Sequence, residues 1–293
     1  MSTWAKGLDT AFSRVSRQWC RSRYEEGYRV AVQDLWTGGY GNNQQLRDVA
    51  EANLEDFANA GFFIGGYINA NPWYDIDVCL ENARLNAGGM WDILTVVAVD
   101  VELDGIIEAD IKDMCAAVRS AGKKDPIYSA AWFWRDRLGN PVWPWLKEHK
   151  IWEAYYDSDP DIDFLSRRFG PWELADVCGE QYQGTTKIDG VAVDLNLFDL
   201  SYWQENDMFT DEDRATLLNI RERTRKALVK PAGKPEVYEY NEDEGVLVHQ
   251  VGLEVFSDTR HSFDDVKELP TDHPIWNLKA VYPAGVPPEL RAP

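Results

Sequence analysis

The stretch that most constrains this chain is Leu94 to Glu102, LTVVAVDVE. Six apolar or β-branched residues run without interruption into Asp100-Val101-Glu102. A continuous run of this kind predicts a strand buried on both faces, the pattern of a parallel sheet covered by helices. Two carboxylates arrive where that strand should end. Residues i and i+2 of a strand share a face, so Asp100 and Glu102 point the same way. In a parallel α/β barrel the C-terminal strand ends are where chemistry is built. A pair of acids there suits proton transfer at a glycosidic bond. The plainer reading is a strand end with solvated charges.

The rest of the chain repeats the pattern around this centre. Apolar runs predict further strands over 4–10, 28–35, 62–68, 126–130, 151–156, 178–183 and 191–196. Helical spacing predicts helices over 13–25, 45–60, 74–87 and 106–120, closed by Gly27, Gly61, Gly88-Gly89 and Gly122. The later connections are short or irregular, and the fifth strand leads into a Trp-rich excursion, AAWFWRDRLGNPVWPWLKEH. The fold class this predicts is α/β: a closed, parallel, TIM-like (β/α) barrel with some outer helices missing in its second half. An open doubly wound sheet is the alternative, but it would lack the Gly-rich phosphate fingerprint. Three regions are expected: the barrel over 1–205, a helix ending near Lys230 over 206–230, and a β-rich or extended appendage over 231–293. Thr210 and Asp213 suit the start of that helix, PAGKP reads as a linker, and VYEYNEDEGVLVHQVGLEVF reads as two strands around an acidic turn.

Charge excludes some classes of partner. Thirty basic against 50 acidic residues leave −20, which argues against nucleic acid and gives no attraction to anionic surfaces. No apolar run reaches the length of a membrane span. The opening MSTWAKGLDTAF lacks the apolar centre of a secretory signal. The four cysteines form no C-x-x-C pair, so neither a zinc site nor any other metal or cofactor is expected, and the thiols are read as free and buried. Of the four histidines only His149 precedes residue 206, in a charged KEHK run read as a solvated helix end. A Ser-His-Asp or Cys-His site in the barrel is therefore excluded, and carboxylates must carry any proton transfer.

Four acids fall at strand ends: Asp9, Asp100, Glu102 and Asp194. In a closed eight-stranded barrel the first and last strands are neighbours, so Asp9 and Asp194 should lie side by side, facing the central pair. Crowded carboxylates push their pKa values apart, leaving one protonated and another ionised. Tyr67, Tyr128, Tyr156 and Gln181 also sit at or near strand ends, where they would line a cleft or pack the barrel. Trp36, Trp73, Trp132 and Trp134 follow strands and would stack on sugar faces or pack in the shell.

The ordered motifs resemble glycoside hydrolase family 25, the N-acetylmuramidase-type lysozymes. Gly7-Leu8-Asp9 resembles the family's opening G-[IL]-D strand. Ala60-Gly61 through Gly65 and Tyr67 is similar to its A-G-x-x-x-G-x-Y, and Asp100 and Glu102 to its D-x-E. Ile127-Tyr128-Ser129, Ile151 through Tyr156, and Gln181-Tyr182 match later strands, and Val193-Asp194-Leu195-Asn196-Leu197-Phe198 its closing V-D-x-N-x-F. The likeness spans residues 4–200. It departs at Ala11-Phe12-Ser13, where the family carries an aromatic-Gln pair, and at Ile68-Asn69 after Tyr67. It departs again at Gln33-Asp34-Leu35-Trp36, in place of A-T-E-G, and at Glu180 in place of Trp. These changes touch the walls and leave the four acids.

The resemblance implies a fold, a substrate and roles. The substrate is bacterial peptidoglycan, cut at the β-1,4 bond between N-acetylmuramic acid and N-acetylglucosamine. Glu102 is implied as general acid, and Asp100 as the group that orients the N-acetyl group and stabilises charge as it attacks the anomeric carbon. Asp9 and Asp194 shape the field and bind sugar; Tyr67, Tyr128, Tyr156, Gln181 and Asn196 bind substrate. A direct carboxylate nucleophile is the alternative to substrate assistance. The expected setting is outside the cytoplasm, reached through lysis by a bacteriophage enzyme, through secretion or on a virion. Residues 231–293 are expected to dock on the wall or a virion component. A non-catalytic barrel that holds glycan as a structural part is the rival.

Overall fold

The computed structural model describes residues 4–37, 43–162, 164 and 168–204, and five later strands as backbone. Two compact units divide the chain, residues 1–207 and 208–293.

The first unit is a closed barrel of eight strands in sequence order. They are β1 (Trp4–Thr10), β2 (Tyr28–Trp36), β3 (Phe63–Asn69), β4 (Val96–Asp100), β5 (Ile127–Ala130), β6 (Ile151–Ala154), β7 (Val177–Ile188) and β8 (Val191–Asp199). Four helices cover the first half: α1 (Arg17–Glu25), α2 (Asn43–Ala60), α3 (Ile76–Ala87) and α4 (Glu108–Ser120). Local chemistry sets their limits. Ser16 caps α1 by accepting from the Trp19 N–H at 3.2 Å, and Asp75 caps α3 by accepting from the Asp77 N–H at 2.9 Å. Gly61 and Gly122 leave α2 and α4 with φ of 99° and 77°, a region glycine enters without steric cost.

The second half lacks such a shell, as the sequence predicts. Among the described residues, the connections beyond β5 hold α5 (Ala131–Asp136) and short 3₁₀ turns, and a short helix, Leu200–Gln204, follows β8. The Trp-rich excursion fills the gap with its own core. Trp134 meets Trp172 at 4.9 Å and Phe169 at 6.0 Å between ring centres, and its indole N–H donates to the Pro141 carbonyl at 3.1 Å.

Three expectations for the barrel unit need correction. The barrel is mixed: β1 to β7 pair in parallel along the series, but β8 is antiparallel to both β7 and β1. The cause is the two-residue turn Asp189-Gly190, with φ of 49° and 85°. A turn of that length makes a hairpin, whereas a parallel return needs a crossover of a dozen or more residues. The central and sixth strands are also shorter than predicted, ending at Asp100 and Ala154, so Glu102 and Tyr156 lie just past them. His149 is buried. Its ring lies 3.2 Å from the Asp125 carboxylate, and Arg119 lies 3.3 Å from both ring nitrogens. Trp145 packs edge-on against it. A carboxylate partner and an aromatic wall override the polar KEHK pattern.

In the second unit five strands form one sheet in the order β12-β9-β10-β11-β13. They are β9 (Ala227–Pro231), β10 (Val237–Asn241), β11 (Val246–Gln250), β12 (Lys267–Leu269) and β13 (Lys279–Val281). β10 and β11 are antiparallel neighbours, and residues 242–245, read from the sequence as an acidic turn, lie outside the described residues. The helix expected up to Lys230 is corrected at its end. Residues 227–230 are in β9, where pairing with β10 and β12 takes the backbone groups a helix would have used; residues 210–226 lie outside the described residues.

The barrel floor explains several glycines of the sequence motifs. Phe198 on β8 lies across Gly7 of β1 and Gly179 of β7, and a Cβ on either would come within 2.3 Å and 2.6 Å of its ring. Trp203, in the short helix Leu200–Gln204, lies across Gly65 in the same way, at 2.6 Å. Phe198 contacts both Trp152 and Trp203 at 5.1 Å between ring centres, closing the barrel under the acids. Gly7→Ala should therefore lower the unfolding free energy by about 1–3 kcal/mol through overpacking. Chemical denaturation measures this, and Phe198→Leu added to Gly7→Ala should recover part of the loss. Equal stability of Gly7→Ala and wild type would show that the ring moves freely aside.

Candidate active site

The parallel strands β1 to β7 bring their C-terminal ends to one rim. β8 runs the other way, so its first half reaches the same rim. Asp194 is therefore not at the end of its strand, as expected, but its fourth residue, and it sits directly opposite Asp9 in the ladder. The sequence expectation that these two acids are neighbours holds by a different route. On the other side Asp100 closes β4, and Glu102 follows in the loop.

Hydrogen bonds are shared unevenly among these acids. Asp9 Oδ2 accepts from Gln181 Nε2 and from Asn196 Nδ2, both at 2.8 Å. Asp194 accepts from the Thr185 backbone N–H at 2.5 Å and, at 3.3 Å, from Gln181 Nε2. Asp100 Oδ2 accepts from Asn69 Nδ2, at the end of β3, while Asp100 Oδ1 is buried with no partner among the described residues. No hydrogen bond to the Glu102 carboxyl exists among the described residues.

Burial raises every one of these carboxyls, and crowding adds to it at Asp9, Asp100 and Glu102. Asp9 is pushed up to about 7 by burial and then by the charge of Asp194, against the lowering effect of its two amide donors. Glu102 is pushed up to about 7 by burial and by Asp194. Asp100 is raised well above the usual carboxylate range by burial and then by Glu102, Asp34 and Asp9. Asp194 is raised by burial, with the Thr185 N–H opposing. The mouth can thus hold protons at neutral pH on groups that are carboxylates in water.

The other sequence candidates are distributed between mouth and support. Tyr67 stands in β3, two residues before its end, and pairs with Asp34 of β2. The hydroxyls of Tyr128 and Tyr156 both donate to Gln181 Oε1 at 2.8 Å. Tyr156 is half exposed, whereas Gln181 and Asn196 are buried beneath the acids. Both ends of the Asn196 amide are engaged, since its Oδ1 accepts from Trp152 Nε1 at 2.9 Å. Of the tryptophans read as sugar platforms, Trp73 and Trp132 are exposed; Trp36 and Trp134 are buried in the shell and offer no face.

Sequence reasoning missed Asp34. It lies in β2, fully buried, and burial lifts its carboxyl well above the usual range, with Asp9 adding to this and Tyr67 opposing it. The signal was present, an acid near a strand end, but the motif departure at Gln33-Asp34-Leu35-Trp36 obscured it. The structure also groups Cys115, Asp125 and His149, all buried, with donor atoms within 4.8 Å of one another. Side chains of types that can ligate a metal thus meet away from the acidic rim, a grouping the sequence did not indicate. Arg119 places its guanidinium against two of them and supplies positive charge to Asp125.

No family model matches the chain. A curated relative from Dictyostelium discoideum, named probable GH family 25 lysozyme 3, is 27% identical over 187 residues, covering 59% of this chain and 36% of the relative. That relative supports the likeness to glycoside hydrolase family 25 read from the motifs. This chain spans about a third of that relative's length. Among solved structures, the modular autolysin LytC of Streptococcus pneumoniae, in complex with a synthetic peptidoglycan ligand, is similar with 16% identity and a TM-score of 0.45, over 67% of this chain and 46% of that one. GHIP, a glycosyl hydrolase 25 of the same organism, is similar with 13% identity and a TM-score of 0.47, over 73% and 92%.

Raised carboxyls have a thermodynamic sign. Glu102 and Asp9 bind protons in the folded chain at pH values where the unfolded chain has lost them. Folding is then favoured as pH falls, so stability should rise between about pH 8 and about pH 5. Calorimetric melting across that window should show the rise, and Glu102→Gln should flatten it while raising stability at the alkaline end. Stability that climbs with pH in both proteins would contradict the raised carboxyls.

Proposed function

We propose that the barrel is a peptidoglycan-hydrolysing glycoside hydrolase, an N-acetylmuramidase. In this reading it cuts the β-1,4 bond between N-acetylmuramic acid and N-acetylglucosamine. The observation that carries it is the unequal treatment of crowded acids at one rim. Glu102 receives no hydrogen bond from the described residues and is pushed up to about 7, which suits a general acid that must hold a proton and then release it.

In the proposed reaction Glu102 donates that proton to the leaving glycosidic oxygen. Asp100 Oδ1, buried and without a partner among the described residues, accepts from the N–H of the substrate's 2-acetamido group. Burying an acceptor unpaired is costly, so a ligand N–H is the natural partner for it. Held in this way, the acetamido oxygen attacks the anomeric carbon as the bond to the leaving group breaks. Water then opens the cyclic intermediate, giving its proton back to Glu102. Asp9 and Asp194 set the negative field that stabilises the developing positive charge. Tyr67, Tyr156 and the exposed rings of Trp73 and Trp132 are proposed to hold the glycan.

The proposed site of action is the bacterial wall, outside the cytoplasm. No helix among the described residues is long and apolar enough to cross a membrane. The proposal extends to a bacteriophage endolysin setting, with the C-terminal unit docking on the wall or a virion component. A chain cut after Asp207, where the two units divide, should keep cleavage of soluble glycan and lose binding to whole walls. Undiminished wall binding would remove the docking role.

The decisive test is Glu102→Gln. Glutamine keeps the shape but cannot deliver a proton, so turnover on purified walls should fall at least about a hundredfold. Glycan affinity should change little, and Glu108→Gln on α4 should leave the rate unchanged. Mass spectrometry of wild-type products should find new reducing ends on N-acetylmuramic acid. Full activity in Glu102→Gln would remove Glu102 as the acid. An inert wild type that still binds glycan would favour a non-catalytic, glycan-holding barrel.

A further inference from the structure

Gln181 was read from the sequence as a substrate-binding residue, but its amide is committed inside the protein. Its carbonyl end, Oε1, accepts from the hydroxyls of Tyr128 and Tyr156, both at 2.8 Å. Its N–H end donates to Asp9 Oδ2 at 2.8 Å and reaches Asp194 Oδ2 at 3.3 Å. Two hydroxyls on one end leave the amide a single satisfied orientation, with its donors facing the acids. Asn196 gives Asp9 a second amide N–H, and Asn196 is itself held by Trp152. Glu102 has no such donor among the described residues.

We propose that Gln181 is a positioning residue: oriented by Tyr128 and Tyr156, it holds Asp9 and Asp194 together as hydrogen-bond acceptors and so leaves the donatable proton of the mouth on Glu102. This rests on the reading of Glu102 as the acid. The alternative is a packing residue whose hydrogen bonds merely satisfy a buried amide. The two differ in where protons sit. The titratable groups facing Asp9 and Glu102 are Asp34, Tyr67, Asp100, Tyr128, Tyr156 and Asp194, and no cation is among these six. With no positive charge among these neighbours, neutral amide donors decide which carboxyl of the group ionises first.

The test replaces Gln181 with Met, close in size and without an amide. Side-chain carboxyl NMR titration of the full chain follows Asp9 and Glu102 directly, alongside the pH–rate profile on soluble glycan fragments. Losing one donor to a charged group should move the Asp9 titration up by about one pH unit. A protonated Asp9 no longer repels charge on Glu102, so Glu102 should lose its proton at lower pH. The alkaline limb of kcat should then move down, with kcat falling about tenfold and KM within about twofold. Tyr156→Phe removes one of the two orienting hydroxyls from a half-exposed position, and it should shift both titrations the same way by less. It also carries the test if Gln181→Met fails to fold. Asp9 titrating as in wild type in the folded variants, or a loss confined to melting temperature, would overturn the proposal. If the wild type cleaves no glycan, the hydrolase reading falls, while the carboxyl titrations still decide whether Gln181 sets the protonation of Asp9.

Discussion

The rest of the site depends on one awkward arrangement: several carboxyls share a buried rim with no cation among the neighbours that shift them. Like charges in a low-dielectric setting repel strongly, and burial alone already favours the neutral form. The protein does not answer with Lys or Arg, whose charge would hold every acid ionised. It answers with side-chain amides. Gln181 and Asn196 donate to Asp9, and Asn69 donates to Asp100. An amide lowers a carboxyl pKa without cancelling its charge, so Asp9 stays at about 7 instead of falling to the usual range. A poised set of acids is what proton transfer at pH 7 requires.

Strand direction delivers those groups to one rim. Seven strands in parallel would leave the eighth to return through a long crossover. The Asp189-Gly190 turn removes that option, and β8 comes back antiparallel, hydrogen-bonded to β7 on one side and β1 on the other. Reversal changes which half of the strand reaches the mouth. It sets Asp194 and Asn196 at the rim and sends Phe198 toward the floor, where it lies over Gly7 and Gly179. The motif V-D-x-N-x-F thus spells out, in strand order, a rim acid, the amide beneath it and a floor plug.

Much of this was legible. The unbroken apolar run before Asp100 marked the central strand, and the acids at strand ends marked the rim. Glycines after helical stretches marked the helix ends. What escaped had physical reasons. An apolar run says nothing about direction, and the runs over 178–183 and 191–196 leave residues 184–190 between them; only the extension of β7 to Ile188 reveals the tight turn at Asp189-Gly190 and the antiparallel return of β8. Periodicity also cannot show a partner distant in sequence. His149 sits in a charged run, yet Asp125, Arg119 and Trp145 bury it. Asp34 was seen only as a departure from a motif, because a single acid in β2 has no i+2 companion to draw attention to it. Trp134 shows the same limit from the other side: an aromatic after a strand is equally a platform or a core, and only its contacts with Trp172 and Phe169 decide.

The floor and the rim form one continuous structure. Trp152 packs against Phe198 and Tyr128, and its indole N–H holds the Asn196 carbonyl. Asn196 in turn donates to Asp9. Tyr128, packed on the same indole, donates to Gln181, which donates to Asp9 from the other side. One chain of hydrogen bonds from the buried Trp152 and a second from Tyr128, packed on its ring, therefore meet on one carboxylate oxygen. A displacement of Trp152 moves both amides at once, so packing in the barrel interior is transmitted to the protonation of the rim. Rigid packing of this kind holds catalytic geometry more tightly than loops do. Glu102, carried on the loop after β4 and unheld by such a chain, keeps the freedom that a proton donor needs.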